Sequence, residues 1–509
     1  MNTDKRNRWS FALGTVGRDM TYSLFTLFLM AFIMYTKSLE DSQYAAISII
    51  FVVCRVFDAL IDPFIGGMVD RTRSRFGKFK PWIFAGMIVA AVDVALLFTL
   101  PIYGWAFVGF VAGGYVVFSI FYSLNDISYW GMLPALSSHP DERNRLVSLS
   151  NICAGAGSAP VMVLVPMLTA GKYTIGGSAP QAYMVISIAV ACCLIGFQSI
   201  TLAGVKGGRA ASSTEDGGAQ GEKIGFKATV QTVLGNDQLL WASVVLLMQG
   251  VISGIFNAGL STAYIYLVYG YSGILTSLSL VGGVSTVFVT LLLPRILARI
   301  SRRRFLFLAC AALGAGAAVI LISGTIPREP SWIPSFAVYS LSSLFSTAGT
   351  VAIYQTMFID IANTVEYNEL KTGRRSEGLI FAMRPLMTQM ASAVTQLINM
   401  VIFLALGITN VNRGISDLEN AANQLLISPE EKLEGIQAIL GAVPGGTSLA
   451  LLLCLALLPT LIGFCGYRIY RKKFKLDEKA YEAILTQLEA RKVSDEMAGG
   501  KLAALTAPR

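Results

Sequence analysis

The chain has 509 residues, of which 54% are hydrophobic and only 14% are charged. A soluble protein carries about 25% charged residues, so this composition argues against an ordinary water-soluble domain and indicates that lipid is the main solvent. The net charge of +9 does not indicate nucleic-acid binding, because Lys and Arg are gathered in a few short connections between apolar segments.

Twelve apolar segments are long enough to cross a bilayer, which requires roughly 20 residues. They are continuous rather than alternating in polarity, which favours helices over a β-barrel. The predicted fold class is therefore an all-α membrane protein. The predicted spans are residues 10–36, 44–70, 81–101, 106–136, 144–170, 181–204, 240–266, 272–297, 304–324, 333–362, 376–407 and 446–470.

A polar stretch, VKGGRAASSTEDGGAQGEK, divides the spans into six and six and has the composition of a flexible linker. This arrangement predicts two pseudo-equivalent six-helix bundles around a central cavity. The first predicted bundle is residues 1–204, and the linker is 205–239. The second bundle is 240–470 and contains one long outer loop, 408–445; the tail is 471–509.

The basic connections alternate with connections that are poor in Lys and Arg. The positive-inside rule then predicts that both termini lie in the cytoplasm and that the protein is integral to the cytoplasmic (inner) membrane. The N-terminal apolar segment has no clear cleavage site, so we expect it to be retained. In the tail, Ile484 and Leu488 are four residues apart, which predicts an amphipathic helix that is either solvated or a docking element.

Asp58 and Asp62 stand inside the second predicted span, four residues apart, and therefore share one helix face. A carboxylate at membrane depth costs on the order of 2.5–3.5 kcal/mol, so this pair must face a polar interior. Its partner is an Arg, a proton or a cation, and Arg55, which is also a candidate gating residue, is the nearest candidate in sequence.

Other charged residues interrupt the predicted spans: Arg18, Asp19, Asp93, Asp126, Asp360, Glu366 and Arg384. One interpretation is a set of buried salt bridges that fix helix packing, which we favour for Asp360 and Glu366 near a membrane edge, with gating as the alternative. For Asp19 and Asp126 we favour a functional site, because carboxylates outnumber basic groups in that half and need a proton, a cation or a ligand. Asp93 has no evident partner.

The stretch GGMVDRTRSRFGK follows the second span and resembles the signature of the major facilitator superfamily. Gly66 and Gly67 would allow close helix approach. The resemblance implies that Asp70, Arg71 and Arg75 form a cytoplasmic latch that breaks when the carrier opens inward. The alternative is simple positive-inside anchoring.

Further motifs point to one family within this superfamily. They are DALIDP and DRTRSRFGKFKPW at the second span, GRD in the first, YSLNDISYWGMLPAL in the fourth, and DIANTVEY with a later RRSEG. Together these are similar to the glycoside–pentoside–hexuronide:cation symporter family of the major facilitator superfamily, whose best-known member is the melibiose carrier. The likeness covers nearly the whole chain. It implies the major facilitator fold and transport of a sugar coupled to a cation.

The resemblance also implies individual roles. Asp58, Asp62 and Ser123 match the cation site of the family. The positions that match its sugar site are Arg18, Asp19, Tyr122, Asp126 and Trp130. Hydroxyl-rich ligands need convergent acceptors and a flat apolar surface, which is consistent with these residue types.

The sequence departs from the melibiose carrier at several positions. Ile61 replaces an Asn between the two cation-site carboxylates and offers no oxygen, which favours a proton over Na⁺. Asn151 replaces a sugar-binding Arg and Gln389 replaces a Lys, so we expect a different sugar. Arg384 is an added cation that either meets an acidic sugar such as a hexuronide or pairs with a buried carboxylate.

The function predicted is symport of a sugar or glycoside with a proton or Na⁺ by alternating access. The alternatives are a proton-coupled exporter of drugs or metabolites and a non-transporting sugar sensor. We predict no enzymatic activity, because no nucleophile–base pair or phosphate loop occurs. The single His139 and the spacing of the cysteines argue against a metal site. The expected partners are a small sugar and membrane lipid, with no cofactor, nucleic acid or obligate protein partner.

Overall fold

The computed structural model describes residues 3–136, 140–205, 235–257, 259–297, 299–327, 331–372 and 377–490. Every regular element within these ranges is helical, and twelve helices are long and apolar enough to cross a membrane. The predicted all-α membrane protein with twelve spans is therefore confirmed. His139, most of the predicted linker and the end of the tail lie outside the described residues.

The first half of the chain forms helices α1 to α8. Their bounds are α1 (Thr3–Ser23), α2 (Leu29–Thr36), α3 (Asp41–Arg71), α4 (Lys80–Thr99), α5 (Gly104–Gly131), α6 (Leu133–Leu136), α7 (Pro140–Thr169) and α8 (Ala179–Gly204). A π-helical turn over Leu24–Phe28 joins α1 to α2, so these two helices form one span.

The second half forms helices α9 to α18. Their bounds are α9 (Asp237–Asn257), α10 (Gly259–Tyr269), α11 (Leu275–Leu297), α12 (Arg302–Thr325), α13 (Ile333–Thr372), α14 (Glu377–Ala405), α15 (Ile408–Asn423), α16 (Pro429–Gly441), α17 (Gly445–Lys473) and α18 (478–490). Helices α9 and α10 together make one span.

Helix α1 is the centre of the first half, where it packs against both α7 and α8. Two glycines make this close packing possible. A Cβ atom on Gly17 would lie 2.5 Å from the carbonyl oxygen of Cys193, and one on Gly157 would lie 2.2 Å from that of Val16. Small residues let helix backbones approach within a membrane. The rotation and depth of α1, and of Arg18 beside Gly17, are fixed in this way.

The two halves meet along two crossing helix pairs, α3 with α14 and α7 with α11. The Gln396 amide donates to the Ser48 hydroxyl at 3.2 Å, and the Thr276 hydroxyl donates to the Val163 carbonyl at 2.8 Å. Both bonds lie toward the end of the molecule that carries α15 and α16. We call that end the cap end, and the opposite end, where the basic connections lie, the basic end.

Helices α15 and α16, residues 408–441, form a cap that belongs to the second half in sequence but binds the first half. The Ser38 backbone N–H donates to the Ser416 hydroxyl at 2.7 Å, and the Asn420 amide donates to the Thr36 carbonyl at 3.0 Å. The Arg413 guanidinium donates to the Leu39 carbonyl at 2.9 Å. The cap therefore holds the two halves together at this end.

A fully buried ion pair in the cap clamps the start of α8. Lys432 Nζ lies 3.1 Å from Glu419 Oε1 and donates to the Gly177 carbonyl at 2.7 Å. Glu419 in turn accepts the Ala179 backbone N–H at 2.6 Å. Burial raises the pKa of the Glu419 carboxyl above its usual range, and the charge of Lys432 opposes this shift. The ion pair thus hydrogen-bonds two backbone groups at the start of α8, the Gly177 carbonyl and the Ala179 N–H.

The tail helix α18 is docked rather than fully solvated. Ile484 and Leu488, which the sequence placed on one face, are buried in the core of the second half. The sequence left open whether this helix is solvated or is a docking element. Its inner face docks on the chain's own second half, and its remaining side chains are mostly exposed.

Replacing Lys432 by Met is expected to lower the free energy of unfolding by about 3–5 kcal/mol, because the buried Glu419 carboxylate loses its counter-charge. Thermal or denaturant unfolding of the detergent-solubilised protein measures the loss. Glu430→Gln, an exposed change in the same helix, is the control and should alter stability little. Equal stability of the two variants would show that the pair does not hold the cap.

Candidate functional site

The central feature of the first half is a buried arginine shared by two carboxylates. Arg18 on α1 is 4% exposed, and its Nη2 lies 2.8 Å from Asp19 Oδ2 while its Nη1 lies 3.0 Å from Asp126 Oδ1 on α5. The side chains of Asp19 and Asp126 are 25% and 39% exposed. The cation is therefore more deeply buried than its partners, and both carboxylates keep exposed surface.

Aromatic rings surround the same arginine. Its guanidinium carbon lies 4.9 Å from the ring centroid of Trp130 and 5.1 Å from that of Tyr129. Tyr122 stacks on Tyr22 of α1 with centroids 5.2 Å apart. The half-exposed Trp130 thus offers a flat apolar face next to the oxygens of Asp126, four residues earlier on α5.

Asp58 and Asp62 form a second polar group on the neighbouring helix α3. The Asp58 carboxylate is buried and accepts a hydrogen bond from the Ser119 hydroxyl of α5. Asp62 is half-buried and lies beside Ser123, yet its buried Oδ1 has no hydrogen-bond partner among the described residues. Asp126 is close enough to Asp62 for the two carboxylates to repel each other.

Arg55 lies near Asp58, as the sequence suggested, but does not pair with it directly. No ion pair within 4.0 Å joins it to Asp58, and both residues belong to the described part of the chain. Its guanidinium carbon lies 5.8 Å from the ring centroid of Tyr115 instead. Asp58 obtains its hydrogen bond from Ser119 of α5, a neighbour across the helix interface.

The sequence predicts three further sugar-site residues, which lie on α7 and α14. Asn151 on α7 and Arg384 on α14 are exposed, and Arg384 lies 5.1 Å from the ring centroid of Phe358. Gln389 has a buried Oε1 without a hydrogen-bond partner among the described residues. No hydrogen bond, ion pair or ring contact between described residues joins any of the three to Arg18, so their roles stay predictions.

Asp360 forms part of a structural ion pair. It is fully buried, pairs with Arg302 of α12 and accepts from the Tyr470 hydroxyl of α17 at 2.9 Å. Glu478 of α18 accepts the backbone N–H of Arg302 at 2.7 Å, which ties the tail to the same group. This geometry matches the salt-bridge interpretation. Glu366 is half-buried farther along α13.

The predicted latch is described only in part. Arg71 and Arg75 are exposed and make no ion pair with a described residue, and the side chain of Asp70 lies outside the described set. No described atom lies within 4 Å of a Cβ built on Gly66 or Gly67. The close helix approach expected at these glycines is therefore not made by any described helix in this arrangement.

The sequence interpretation missed two residues of this region. Ser119 lies four residues before Ser123, the same spacing as Asp58 and Asp62, and that repeat was a detectable signal. Tyr129, whose hydroxyl donates to the Phe11 carbonyl while its ring lies over Arg18, resembles an ordinary core aromatic in sequence. Among the described residues, no group of three or more His, Cys, Asp or Glu side chains could hold a metal ion.

Residues 10–459 match the family described as MFS/sugar transport protein. The chain belongs to this family. Its similarity to a glycoside/cation symporter and to a glucuronide carrier also confirms the predicted membership of the glycoside–pentoside–hexuronide branch. Family membership and the twelve apolar helices identify an integral membrane protein.

Curated relatives in this family carry sugar-transport names. The chain is 29% identical to the lactose permease of Lactobacillus helveticus over 79% of its own length and 62% of the permease. It is 28% identical to the raffinose carrier protein of Pediococcus pentosaceus over 76% of the chain and 60% of the carrier. The chain thus spans less than two thirds of these two proteins. It is 25% identical to the putative glycoside/cation symporter YagG of Escherichia coli (strain K12), with 91% and 90% coverage.

Solved structures share the fold at low sequence identity. A bacterial homologue of the human lysosomal transporter Spinster superposes with a TM-score of 0.63 at 13% identity, covering 93% of this chain and 98% of that one. The xylose transporter XylE from E. coli gives 0.56 at 12% identity, with 94% and 98% coverage. The predicted major facilitator fold is confirmed.

Because Arg18 pairs with both Asp19 and Asp126, removing Arg18 should destabilise the protein more than removing one of the two carboxylates. Replacing Asp126 by Asn leaves Arg18 paired with Asp19, whereas replacing Arg18 by Gln leaves two carboxylates without a cation. We expect Arg18→Gln to lower the unfolding free energy by about 3–5 kcal/mol and Asp126→Asn by clearly less. Thermal unfolding in detergent measures both, and Arg384→Gln, an exposed arginine, is the control. The reverse order would contradict the shared ion pair.

Proposed function

We propose that this protein is a secondary transporter that couples entry of a sugar or glycoside to symport of a cation, with a proton favoured over Na⁺. The observation that carries the proposal is the adjacency of two groups in one half: the Arg18 cluster, with partly exposed acceptors beside an aromatic face, and the carboxylates of α3. Asp62 of the ion site and Asp126 of the sugar site lie within range of each other's charge, so the two sites can influence each other.

The chemistry of the Arg18 cluster suits a sugar. Carboxylate oxygens accept hydrogen bonds from hydroxyl groups, and the Trp130 ring suits the apolar face of a pyranose. Arg18 fixes Asp19 and Asp126, so the acceptors are preorganised before the ligand arrives. Lactose, raffinose and glucuronides are the substrate classes to test first, because they appear in the names of relatives.

The ion site favours a proton. A hard cation prefers several oxygen ligands. Asp62 has Ser123 beside it, whereas Ile61, its neighbour in sequence, supplies no oxygen. A single carboxylate suffices for a proton. Neutralising Asp62 removes its repulsion with Asp126 and steadies the sugar acceptors, which provides a physical route for coupling.

The cap contacts fit an alternating-access cycle. The cap end is closed by hydrogen bonds between the halves, while the latch arginines at the basic end are unpaired with described residues. We propose that entry of the solute requires these cap contacts to break and the latch at Asp70, Arg71 and Arg75 to form. We further propose that the basic end faces the cytoplasm, which places both termini there and the protein in the cytoplasmic membrane.

Asp62→Asn is expected to abolish uphill sugar accumulation and to retain sugar exchange. One proton carried with a neutral sugar supports about 50-fold accumulation per 100 mV of membrane potential. The ratio in vesicles should fall to about onefold in the variant. Asp93→Asn, which changes a half-buried acid on α4 outside the site, should accumulate sugar normally.

The direction of proton flow separates symport from the alternative of a proton-coupled exporter. Adding lactose, raffinose or a glucuronide to vesicles containing the protein should draw protons inward together with the sugar. Release of protons on addition of an apolar drug, with no response to any sugar, would support the exporter. Accumulation that persists in Asp62→Asn would contradict the assigned ion site.

A disulfide between positions 38 and 416 should stop transport. The hydroxyl oxygens of Ser38 and Ser416 lie 3.1 Å apart across the two halves. In the double variant Ser38→Cys/Ser416→Cys, oxidation is expected to reduce sugar uptake by about 10-fold or more, and reduction to restore it, because a locked cap end prevents alternation. The two single variants under the same oxidation are controls. Full uptake with the disulfide formed would contradict the cap's role.

A further inference from the structure

The turn between α15 and α16, residues 424–428, carries two adjacent leucines that point away from the protein. We call this segment the cap turn. The side chains of Leu425 and Leu426 are 87% and 72% exposed, and neither belongs to a hydrophobic cluster of the described residues. Two large apolar side chains next to each other are unfavourable in water, so another surface is expected to cover them.

The backbone of the cap turn makes a leucine still less favourable. Helix α15 ends in a Schellman motif, in which the Leu425 N–H donates to the Ala422 carbonyl and the Leu426 N–H donates to the Ala421 carbonyl, both at 3.0 Å. The motif requires one residue in the left-handed region, and Leu425 occupies that position with a φ of 60°. Glycine is the usual residue there, because a Cβ atom is strained in that region. The folding of the turn therefore does not account for Leu425.

The second leucine also departs from what the motif favours. The residue that follows the left-handed position commonly packs back against the last turn of its own helix. Leu426 occupies this place but remains largely exposed. Both leucines are thus presented outward by a hydrogen-bonded turn instead of stabilising it.

Contacts on both sides of the cap turn hold it at a membrane edge. The Ser178 hydroxyl donates to Asn423 Oδ1 at 3.2 Å. Pro429 lies against Gly177, where a Cβ atom would be 3.0 Å from Pro429 Cγ. Ser178 directly precedes α8, which is one of the twelve apolar spans. The cap turn is therefore fixed beside the point at which α8 enters the bilayer.

The surface near this point is suited to lipid. Helix α8 packs against α1 and α4, and its exposed side chains include Val185 and Ile188. Tyr173, in the connection that precedes α8, is 71% exposed, and tyrosine is enriched at membrane–water interfaces. The cap turn thus adds two apolar side chains next to a surface that already faces lipid.

We propose that the cap turn docks on the lipid surface at the cap end, with Leu425 and Leu426 inserted between the headgroups of that leaflet. Apolar side chains held at the boundary of headgroups and acyl chains are stabilised there. This inference concerns how the cap is attached and does not require the proposed symport. The attachment uses no hydrogen bond between the halves, so it persists while those bonds break and form again.

The charges beside the cap turn indicate that this contact is apolar rather than electrostatic. Glu430 and Glu431, at the start of α16, are exposed and would be repelled by anionic headgroups. A neutral lipid such as phosphatidylcholine is therefore the partner to test, and the contact should not weaken when the salt concentration is raised.

The test uses the full chain in phosphatidylcholine nanodiscs that hold one copy each. Leu426→Cys places a thiol in the cap turn. Glu434→Cys is the matched control, because Glu434 is exposed and lies about half a turn of α16 from the buried Lys432 and Ile436, on the opposite face. A membrane-impermeant maleimide should react about 10-fold more slowly at position 426 than at position 434. The unmodified chain, whose seven cysteines are all free, gives the background.

A second measurement identifies lipid directly. Bimane is attached to each new thiol in detergent, before the protein is placed in discs. Brominated phosphatidylcholine should quench the fluorophore at position 426 and leave the one at position 434 unaffected. Leu425→Cys probes the same turn independently, and all three positions are exposed, so the variants should fold as the unmodified chain does.

The inference is overturned if positions 426 and 434 react equally fast in discs with one copy, or if brominated lipid does not quench at position 426. Fast reaction in these discs combined with slow reaction in protein-dense vesicles would overturn it in favour of a second copy of the chain. Quenching that disappears at high salt would contradict the apolar contact.

Discussion

The first half of the structure depends on one buried cation shared between two helices. Arg18 on α1 cannot lie in a membrane interior without counter-charge, and Asp126 on α5 cannot lie there without a cation. Their ion pair fixes the rotation of both helices. Trp130 and Tyr122, one turn on either side of Asp126, are thereby directed to the same place. The need of each buried charge for a counter-charge thus also brings together the side chains of the candidate ligand site.

Buried charges are also paired with counter-charges at two other places. Asp360 pairs with Arg302 where α12, α13 and α18 meet, and Lys432 pairs with Glu419 where the cap meets α8. Each pair joins elements that are distant in sequence. Asp62 departs from this pattern, because one of its oxygens is buried without a described partner. Nothing in the structure explains the comparable oxygen of Asp93.

Among the described residues, the side-chain hydrogen bonds between the halves lie at the cap end. At the cap end, the side chains of Ser416 and Asn420 satisfy backbone groups of the turn after α2. At the basic end, Arg71 and Arg75 remain exposed and Gly66 faces open space. A carrier that alternates must exchange one set of contacts for the other, and side chains able to form the second set are already present in the α3–α4 connection.

The sequence by itself determined the twelve helices, since apolar length and the cost of unpaired backbone groups in lipid leave no other solution. It also determined which residues need partners, because charges within a span are costly wherever they point. Only the tertiary structure decided which residues pair with these charges. The spacing within one helix is fixed by its period, whereas contacts between helices depend on rotation and depth. Those are set by packing, as at Gly17, so Ser119 rather than Arg55 came to bind Asp58.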